Sequence, residues 1–570
     1  MFHEVKGWRP NILISGFFIL AAIIIGCLFY VQVLQHKFYQ AKALGQQSGF
    51  SEVFGSRGEV FLKNSKEYQN QEVKSLAINK DKWLVSAVPS NIEDKTSVAA
   101  TLAPMISLSK EFIVNKLESS DSYVIIKKDV SSQELKNIKD FDQEGLALEN
   151  IPSRYYPQGA MLSQVIGFFG GNNTGQYGIE GYYDDILKGK SGIKEEKRGL
   201  NVINSKAPVD LNGSDLYLTI DYNIQFQAED LLKEARKKID IDSGQIIVLA
   251  PDSGKILALA NFPSFDVNKY SKEHDLEIFQ NSAIQKLFEP GSVFKPFTMA
   301  MALQEGRVTK DSTFVDTGSV TIGPDTISNF NHEVYGKRDM SGILEKSINT
   351  GAVFLSQLIS HQTFSNYLDT FGFSDKTGVD LQGEVYSENT ILKNGSDFGF
   401  ATASFGQGIE MTPIQLARSF SIFANGGKMV KPYIVDKISH GQDEQKTKPQ
   451  ISDQLISSKT ASDVTTMLIN VVERGFGDGA KIPGYYLAGK TGTAQVPFEN
   501  KKGYYPDKTI QSFIGFGPAL KPQFLILVKL DNPKVPKSSL SAVPIFKKLA
   551  QYIINYWQIP PDYDVVSGAK

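Results

Sequence analysis

Cysteine is almost absent from this chain of 570 residues, in which Cys27 is the only one. A single cysteine excludes an intramolecular disulfide framework and any zinc site built on cysteines. The 6 histidines are scattered, and no HExxH or HxH spacing gathers two of them around a metal. We therefore expect neither a bound metal nor a cofactor.

The chain also lacks an excess of charge of either sign. Its 60 basic and 62 acidic residues leave a formal net charge of -2, and no basic tract is present. A nucleic-acid partner is not expected, because binding to a phosphate backbone requires a concentrated positive surface. Apolar residues make up 41% of the chain and charged residues 21%, as in ordinary globular proteins, and the length predicts two or three domains.

One long apolar run stands near the amino terminus, from residue 12 to residue 34. A helix of about two dozen residues, at 1.5 Å per residue, crosses a hydrocarbon core of about 30 Å. Lys6 and Arg9 precede the run, so the positive-inside tendency keeps residues 1–11 in the cytoplasm. We predict a cell-membrane protein with one transmembrane anchor at 12–34 and the rest of the chain outside the cytoplasm, on the periplasmic side.

Two other interpretations of this run compete with an anchor. A cleaved signal peptide would have a shorter apolar region, whereas this one continues through Val31 and Val33. The tetrapeptide Ile24-Ile25-Gly26-Cys27 resembles a bacterial lipoprotein signal, but the chain stays apolar beyond Cys27, where a lipoprotein would turn polar. We expect an uncleaved helix in which Cys27 is a small apolar residue, and its lipidation is left open.

Beyond the apolar run, two regions differ in pattern. Residues 35–225 mix short strand-like runs with charged helical ones and turn clusters, which predicts an elongated, irregular pedestal. Residues 226–570 have a sharper pattern, in which strand-like runs stand at both ends and mostly helical segments lie between them. This order predicts an α+β domain, with helices packed on an antiparallel sheet that both ends build.

Two hairpins are predicted for that sheet. The β-rich runs Gln245–Ala250 and Lys255–Asn261 are joined by Pro-Asp-Ser-Gly, which is a turn signal. A second pair, Gln511–Gly517 and Gln523–Asp531, comes near the end of the chain. The apolar stretch Ile545–Trp557 then recurs at helical spacing.

A candidate nucleophile stands at Ser292, three residues before Lys295, so that on a helix both side chains lie on one face. A serine hydroxyl needs an adjacent base to remove its proton, and a lysine is a base only when burial or a second cation keeps it neutral. Pro296 is tolerated only in the first turn of a helix, which predicts that the helix starts near Ser292. The free backbone N–H groups of that first turn suit an oxyanion.

The spacing of serine and lysine is a weak signal by itself, because Ser107 and Ser191 are also followed by a lysine three residues later. The candidate partners decide between them. Ser347 and Asn349 offer a hydroxyl that can relay a proton and a carboxamide that can orient an amide substrate.

A second partner segment reads Lys490-Thr491-Gly492-Thr493 within a strand-like run. Such a strand can face a peptide carboxylate with the amine of Lys490 and the hydroxyls of Thr491 and Thr493. Gly492 allows the backbone to approach closely, and the strand could supply a second oxyanion N–H.

Two similar segments are interpreted differently. Lys376-Thr377-Gly378 repeats the KTG triplet, but it lies in a turn-rich stretch, and we predict a structural role for it. Residues 484–491 match the phosphate-loop pattern GxxxxGK[ST]. A phosphate loop must run into a helix, whereas Gly492, the β-branched threonines and Pro497 argue against one, so nucleotide binding is not expected.

In this order the three candidate segments resemble the SxxK, SxN and KTG motifs of the penicillin-binding proteins and serine β-lactamases. Their flanks resemble the class B penicillin-binding proteins, and the likeness covers nearly the whole chain. These flanks are Glu289-Pro290-Gly291, Gly406-Gln407-Gly408, Thr412-Pro413, Ala424-Asn425-Gly426-Gly427, Ser512-Phe513-x-Gly515-Phe516, Ser56-Arg57-Gly58, Arg154-Tyr155-Tyr156-Pro157 and Gly178-Ile179-Glu180-Gly181. Residues Glu59–Asn64 depart from the acidic-Arg-Asn-Gly turn that the family usually has there.

The resemblance implies a transpeptidase domain with the penicillin-binding and β-lactamase fold, a pedestal of the dimerisation type and one membrane anchor. It implies a D,D-transpeptidase that cross-links peptidoglycan stem peptides ending in D-Ala-D-Ala and is acylated by β-lactams. The pedestal pattern favours a role in cell division over side-wall elongation. A D,D-carboxypeptidase or a β-lactamase could use the same site, but those enzymes rarely carry such a pedestal, and a β-lactam-sensing receptor would have several membrane spans.

The resemblance also implies a role for each candidate residue. Ser292 attacks the substrate carbonyl after Lys295 takes its proton, and Ser347 passes a proton to the leaving amine. Asn349 positions the donor peptide and Lys490 holds the local charge. Thr491 and Thr493 bind the carboxylate.

A partner is implied as well. Between His36 and Gln245 the chain has no acidic pair in the setting of a lipid II polymerase domain. The glycan strands must then come from a separate enzyme, and class B relatives typically pair with a polytopic membrane glycan polymerase. Small residues of the apolar run, such as Gly16 and Gly26, would allow close helix contact with it.

Overall fold

The computed structural model of the chain describes residues 8–30, 50–63, 73–139, 141, 143–171, 173–195, 211–389, 392, 395–498 and 503–564. The chain divides into two compact units. One unit takes the described residues within 1–58 and 188–214, and the other takes those within 59–187 and 215–570.

The described residues of the first unit form one helix and one small ribbon. The helix spans Trp8–Phe29, and Phe50–Phe54 pairs antiparallel with Ser191–Glu195. Apolar side chains of the helix are exposed in the isolated chain, with Phe17 and Phe18 both at 72%.

Among the described residues, no helix is long and apolar enough to cross a membrane. The transmembrane anchor expected at 12–34 stays a prediction. Residues 1–7 of the expected cytoplasmic segment, residues 31–34 and the side chain of Cys27 lie outside the description.

A five-stranded antiparallel sheet, here called the central sheet, organises the second unit. Its strands stand in the order Ile256–Phe262, Ser243–Leu249, Phe524–Asp531, Tyr504–Gly517 and Ala488–Pro497. Both predicted hairpins are confirmed, because the first two strands pair with each other and the strands at 504–517 and 524–531 do likewise. The two hairpins meet between Ser243–Leu249 and Phe524–Asp531, so the sheet is built from both ends of the domain, as predicted.

Helices cover both faces of the central sheet because its inner strands are apolar on both sides. Along the strand at 243–249, Ile246 and Val248 belong to one core, which the helices Tyr222–Ile239 and Ala542–Tyr556 complete. Ile247 and Leu249 belong to the opposite core, shared with helices at 295–304, 413–424 and 458–474. This helix, sheet, helix layering is the predicted α+β architecture.

A second, seven-stranded sheet joins residues from both predicted regions. In it Asp215–Asp221 pairs in parallel with Val60–Lys63 and antiparallel with Val435–His440. The strand at 215–221 thus lies in the range predicted for the pedestal, yet it also pairs with residues from the range predicted for the transpeptidase domain. The boundary at 225/226 stays a prediction.

The remaining strands of that sheet are Val73–Ala87, Val124–Val130, Leu146–Tyr155 and Asp443–Lys446. Short antiparallel ribbons pair Phe168–Phe169 with Gly175–Gln176, Thr313–Asp316 with Gly336–Asp339, Ser319–Ile322 with Asp325–Ser328 and Lys428–Val430 with Ile451–Gln454. The other α-helices are Lys95–Ile106, Lys110–Leu117, Ser132–Lys139, Ser163–Ile166, Gly178–Tyr182, Asp184–Leu187, Ser282–Gln285, Met340–Glu345, Asn349–Gln357, His361–Thr370 and Asp397–Ala403.

Two of the upstream sequence segments meet in a buried ion pair. Arg154 Nε lies 2.7 Å from Glu180 Oε1, and the two side chains are 3% and 0% exposed. The hydroxyl of Tyr156 donates to the same carboxylate at 3.2 Å and accepts the N–H of Phe169 at 2.8 Å. These buried contacts link the segment around Arg154 to the segment around Glu180.

Candidate active site

Ser292, the candidate nucleophile, lies in a single 3-10 turn, Gly291–Phe294, here called the nucleophile turn. This turn runs directly into the helix Lys295–Gln304. Pro296 stands in the first turn of that helix, so the predicted helix start is confirmed. The side chain of Ser292 is partly exposed, whereas Phe294 and Phe297 on either side of Lys295 are fully buried. The aromatic anchors fix the turn, and the hydroxyl remains accessible.

Lys295 is 1% exposed and has a full set of acceptors. Its Nζ donates to the backbone carbonyl of Ser347, to Asn349 Oδ1 at 2.8 Å and to Ser347 Oγ at 3.2 Å. The amine of Lys295 thus joins the SxxK segment to the SxN segment, although Lys295 and Ser347 are 52 residues apart in the sequence. The hydroxyl of Ser347 and the carboxamide of Asn349 both point at this amine.

Lys490 approaches the same hydroxyl from the opposite motif. Its Nζ lies 2.9 Å from Ser347 Oγ, 3.1 Å from the carbonyl of Thr491 and 3.3 Å from Thr491 Oγ1, and its side chain is 0% exposed. The Ser347 hydroxyl therefore lies between two lysine amines. A hydroxyl in this position can accept a proton from one side and donate one to the other.

Burial changes the protonation of both lysines. Loss of solvation, together with the neighbouring charge of Lys490, lowers the pKa of Lys295 well below its usual value. Burial lowers the pKa of Lys490 to about 7. The lowered pKa favours the free amine of Lys295, the state that a base requires, while Lys490 retains part of its charge near neutral pH.

The KTG segment forms a strand, as predicted. Residues Ala488–Pro497 are the outermost strand of the central sheet, and this strand lies beside the nucleophile turn. A side chain at Gly492 would come within 2.9 Å of Val293 Cγ1, so glycine is required for this approach. Because Lys490 and Thr491 lie in a strand and not at the start of a helix, the phosphate-loop match has no structural support.

Thr493 lies on the same strand, partly exposed, and its hydroxyl is 3.4 Å from Ser538 Oγ. In the nucleophile turn, Gly291 has a φ of +60°, and a side chain there would meet Ala494 Cβ at 3.0 Å. The turn and the strand are therefore in direct contact beside Ser292. An oxyanion formed on a carbonyl at Ser292 would lie between the backbone of the turn and that of the strand.

The candidate residues are thus brought together. Hydrogen bonds connect Lys295, Ser347, Asn349, Lys490 and Thr491. Ser292, Gly492 and Thr493 are placed beside them by the contact between the turn and the strand. In the part of the chain that the structure describes, no group of three or more histidine, cysteine, aspartate or glutamate side chains could hold a metal ion.

One supporting network was missed by sequence reasoning. Asp316 is 2% exposed and accepts hydrogen bonds from Thr350 Oγ1 at 2.6 Å and from Asn329 Nδ2 at 2.9 Å. Thr350 follows Asn349, whose Nδ2 donates to the carbonyl of Ser328 at 3.0 Å. The network fixes the start of the helix that carries Asn349. No motif marks Asp316 in the sequence, so only the fold reveals it.

Two family models match the chain. The penicillin-binding protein transpeptidase domain matches residues 244–551, which is more than half of the chain, and the penicillin-binding protein dimerisation domain matches residues 55–218. The chain belongs to the class B penicillin-binding proteins.

Curated members of this family are similar along most of their length. Stage V sporulation protein D of Bacillus subtilis is 32% identical, over 84% of this chain and 74% of that protein. The peptidoglycan D,D-transpeptidase FtsI homolog of Mesostigma viride is 30% identical, over 96% of this chain and 95% of that protein. Among solved structures, penicillin-binding protein 3 of Mycobacterium tuberculosis complexed with aztreonam has the same fold, with a TM-score of 0.68 and 24% identity over 91% of this chain and 100% of that one.

Proposed function

We propose that this class B penicillin-binding protein is a peptidoglycan D,D-transpeptidase that joins stem peptides through an acyl-enzyme on Ser292. The observation that carries the proposal is the hydroxyl of Ser347, hydrogen-bonded by two buried lysines directly beside the nucleophile turn. This arrangement supplies a base, a proton relay and a charge in one place, which acyl transfer by a serine requires.

In the acylation half, neutral Lys295 takes the proton of Ser292, and the serine oxygen attacks the carbonyl of the penultimate D-alanine of one stem peptide. The resulting oxyanion is stabilised by backbone N–H groups of the nucleophile turn and the adjacent strand. The carbon–nitrogen bond then breaks, and the proton passes through Ser347 to the leaving amine. The terminal D-alanine departs and leaves an ester on Ser292.

In the second half, the amine of a neighbouring stem peptide attacks this ester. The amine gives up a proton through the same relay, the new amide forms, and the Ser292 hydroxyl is restored. Asn349 positions the donor chain, and Lys490 with Thr491 and Thr493 binds its carboxylate. A β-lactam follows the acylation half and stops at the ester, because its leaving amine stays attached to the product.

We assign the enzyme to septal cell-wall synthesis. The support is the name of the FtsI homolog, 30% identical over nearly its whole length, together with the pedestal sequence pattern. Side-wall elongation is the alternative role. A fluorescent fusion that collects at the division site supports the septal role, and one spread along the side wall contradicts it.

We also place the enzyme at the cell membrane, with residues 12–34 as a single-pass anchor, the amino terminus in the cytoplasm and the catalytic domain on the periplasmic side. The support is the apolar run after Lys6 and Arg9 and the exposure of apolar side chains along the helix Trp8–Phe29. A polytopic membrane glycan polymerase is the proposed partner. Alkaline extraction of membranes tests the anchor, because an anchored chain stays in the pellet.

The test of the activity is reconstitution in liposomes with lipid II and a glycan polymerase. We expect cross-linked peptides with the wild type and none with Ser292→Ala. Release of D-alanine without cross-links would identify a carboxypeptidase. Rapid hydrolysis of the β-lactam would identify a β-lactamase, and stable acylation without any peptide turnover would identify a β-lactam-sensing receptor. Glycan polymers formed by this chain alone would contradict the monofunctional assignment.

A further inference from the structure

Glu289 is a buried carboxylate close to the nucleophile that the mechanism above does not use. It precedes Ser292 by three residues and is only 7% exposed. No ion pair to it is present among the residues that the structure describes. Burial, with the nearby charge of Glu410, raises the pKa of this carboxyl group, and its hydrogen-bond donors act in the opposite direction. A carboxylate without a cation is costly to bury, so its hydrogen bonds carry its stabilisation.

Those hydrogen bonds come from two other segments of the active site. The backbone N–H of Gly408 donates to Glu289 Oε1 at 3.0 Å. The hydroxyl of Tyr504 reaches both carboxylate oxygens, at 3.3 Å to Oε1 and 3.1 Å to Oε2. Both donors are neutral, and both are more than one hundred residues away in the sequence, so the contact is purely tertiary.

Each donor belongs to a segment that contacts either the turn of Ser292 or the strand of Lys490. Gly408 follows Gly406, whose carbonyl accepts the N–H of Gly291 at 3.0 Å in the nucleophile turn. Tyr504 opens the strand that pairs with the KTG strand, and its register partner there is Pro497. The strands at 488–497 and 504–517 are here called the KTG hairpin. The carboxylate of Glu289 therefore lies where the nucleophile turn, the Gly406–Gly408 turn and the outer end of the KTG hairpin meet.

We propose that Glu289 is a positioning residue for acylation, which holds the KTG hairpin against the nucleophile turn through the hydroxyl of Tyr504. It touches neither substrate nor the reacting atoms. Its effect is on the geometry between Ser292 and the strand that supplies carboxylate recognition and an oxyanion donor. Misplacement of such groups by a fraction of an ångström slows the chemical step more than it weakens binding.

The chain offers a matched pair of tyrosines for the test. Tyr504→Phe removes only the hydroxyl that reaches Glu289. Tyr505 is the next residue on the strand; its ring contacts Phe498 and Lys508, and its hydroxyl makes no hydrogen bond among the described residues. Tyr505→Phe is therefore the control for loss of a tyrosine hydroxyl on this strand.

Stopped-flow acylation of the full-length protein in detergent with a fluorescent penicillin separates the dissociation constant of the first complex from the acylation rate constant. For Tyr504→Phe we expect the rate constant to fall about tenfold and the dissociation constant to change less than about twofold, as loss of one charge-assisted hydrogen bond implies. Glu289→Gln should lower the rate constant similarly, and the double variant should be no slower than the worse single variant. Tyr505→Phe should behave as wild type.

An unchanged acylation rate constant in Tyr504→Phe would overturn the proposal, as would effects of the two substitutions that simply add. If Tyr504→Phe and Tyr505→Phe have equal melting temperatures, a slower acylation of Tyr504→Phe reflects lost positioning and not a general loss of stability. If Glu289→Gln does not fold, the acylation rate constant of Tyr504→Phe alone decides the proposal. The inference rests on the proposed acylation of Ser292. Failure of the wild type to be acylated would reject the proposed function itself, whereas a normal wild type with a normal Tyr504→Phe rejects only this inference.

Discussion

The chain contains the triplet Lys-Thr-Gly twice, at 376–378 and at 490–492, and the structure uses the two copies differently. At the first, the N–H groups of Thr377 and Gly378 donate to Glu384 of the same chain, at 2.7 and 3.0 Å, and the Thr377 hydroxyl donates to it as well. Lys376 is exposed to solvent. The first triplet is thus a carboxylate-binding turn whose carboxylate is internal.

At the second triplet, the lysine is buried, and among the residues that the structure describes no carboxylate is hydrogen-bonded to it. Lys490 is 0% exposed and points at Ser347, and its strand lies at the sheet edge beside Ser292. The same residue types can bind a carboxylate in both places, but only the edge strand leaves that position open beside a nucleophile. The triplet supplies recognition chemistry, and the surrounding sheet decides whether a substrate can use it.

The largest effect should come from the lysine that accompanies the nucleophile and not from either triplet. Lys295→Arg keeps a long basic side chain, but arginine does not deprotonate at physiological pH and cannot act as a base. We expect acylation by a fluorescent penicillin to slow by about 1000-fold or more. Lys490→Arg should retain clearly more activity, and equal losses in the two variants would contradict the division of labour between base and electrostatic partner.

Removing each triplet lysine tests the comparison directly. Lys490→Ala should lower the acylation rate by about 100-fold, because it removes a preorganised cation and a partner of Ser347. Lys376→Ala should stay within about twofold of wild type, because its side chain is exposed to solvent. Acylation kinetics at one penicillin concentration measure both. A comparable loss in Lys376→Ala would mean that the first triplet has a part in the reaction.

Substitution of the internal carboxylate should separate stability from activity. Glu384→Gln replaces a charged acceptor of three hydrogen bonds, so the free energy of unfolding should fall by about 2 kcal/mol. Acylation of the folded variant should remain that of wild type. Urea denaturation measures the first and penicillin labelling the second, with the exposed Glu118→Gln as control. A variant of normal stability and reduced acylation would reverse the interpretation of the first triplet.

The pH dependence of the free energy of unfolding should also distinguish Lys490 from Lys376. The expected effect is smaller, on the order of 1 kcal/mol per pH unit. The pKa of Lys490 is lowered to about 7 from 10.5, so between these values the unfolded chain holds a proton that the folded chain releases. The free energy of unfolding therefore rises with pH across this window. Denaturation near pH 7 and near pH 9 should show a flatter rise in Lys490→Met than in Lys376→Met. Equal slopes would mean that Lys490 is solvated like a surface lysine.

Local sequence signals predicted much of the fold around the site. The turn signals and strand-like runs gave both hairpins, and Pro296 located the start of the helix after Ser292, because these features depend on residues close in sequence. Asp316 and its contact with Thr350 could not be predicted, since the two are 34 residues apart and meet only when the chain folds. The pairing of the strand at 215–221 could not be predicted for the same reason. Its two partner strands lie far before it and far after it in the sequence.

The candidate site itself was assembled from motifs, but its electrostatics needed the structure. A lysine beside a serine could be named as a base from chemistry alone. The lowered pKa that favours its neutral form depends on burial of Lys295 and on the second amine of Lys490, which comes from a segment almost two hundred residues later. The role of Glu289 was equally hidden, because a glutamate before Pro290 and Gly291 looks like an ordinary flank until Tyr504 is placed against it.

The most direct test of the proposed acyl-enzyme on Ser292 is to locate the residue that a β-lactam modifies. The purified protein is labelled with a penicillin, digested and analysed by peptide mass spectrometry, with Ser292→Ala treated in parallel. We expect one adduct, on the peptide that contains Ser292, and none in the variant. An adduct on Ser107 or Ser191, or undiminished labelling of Ser292→Ala, would contradict it.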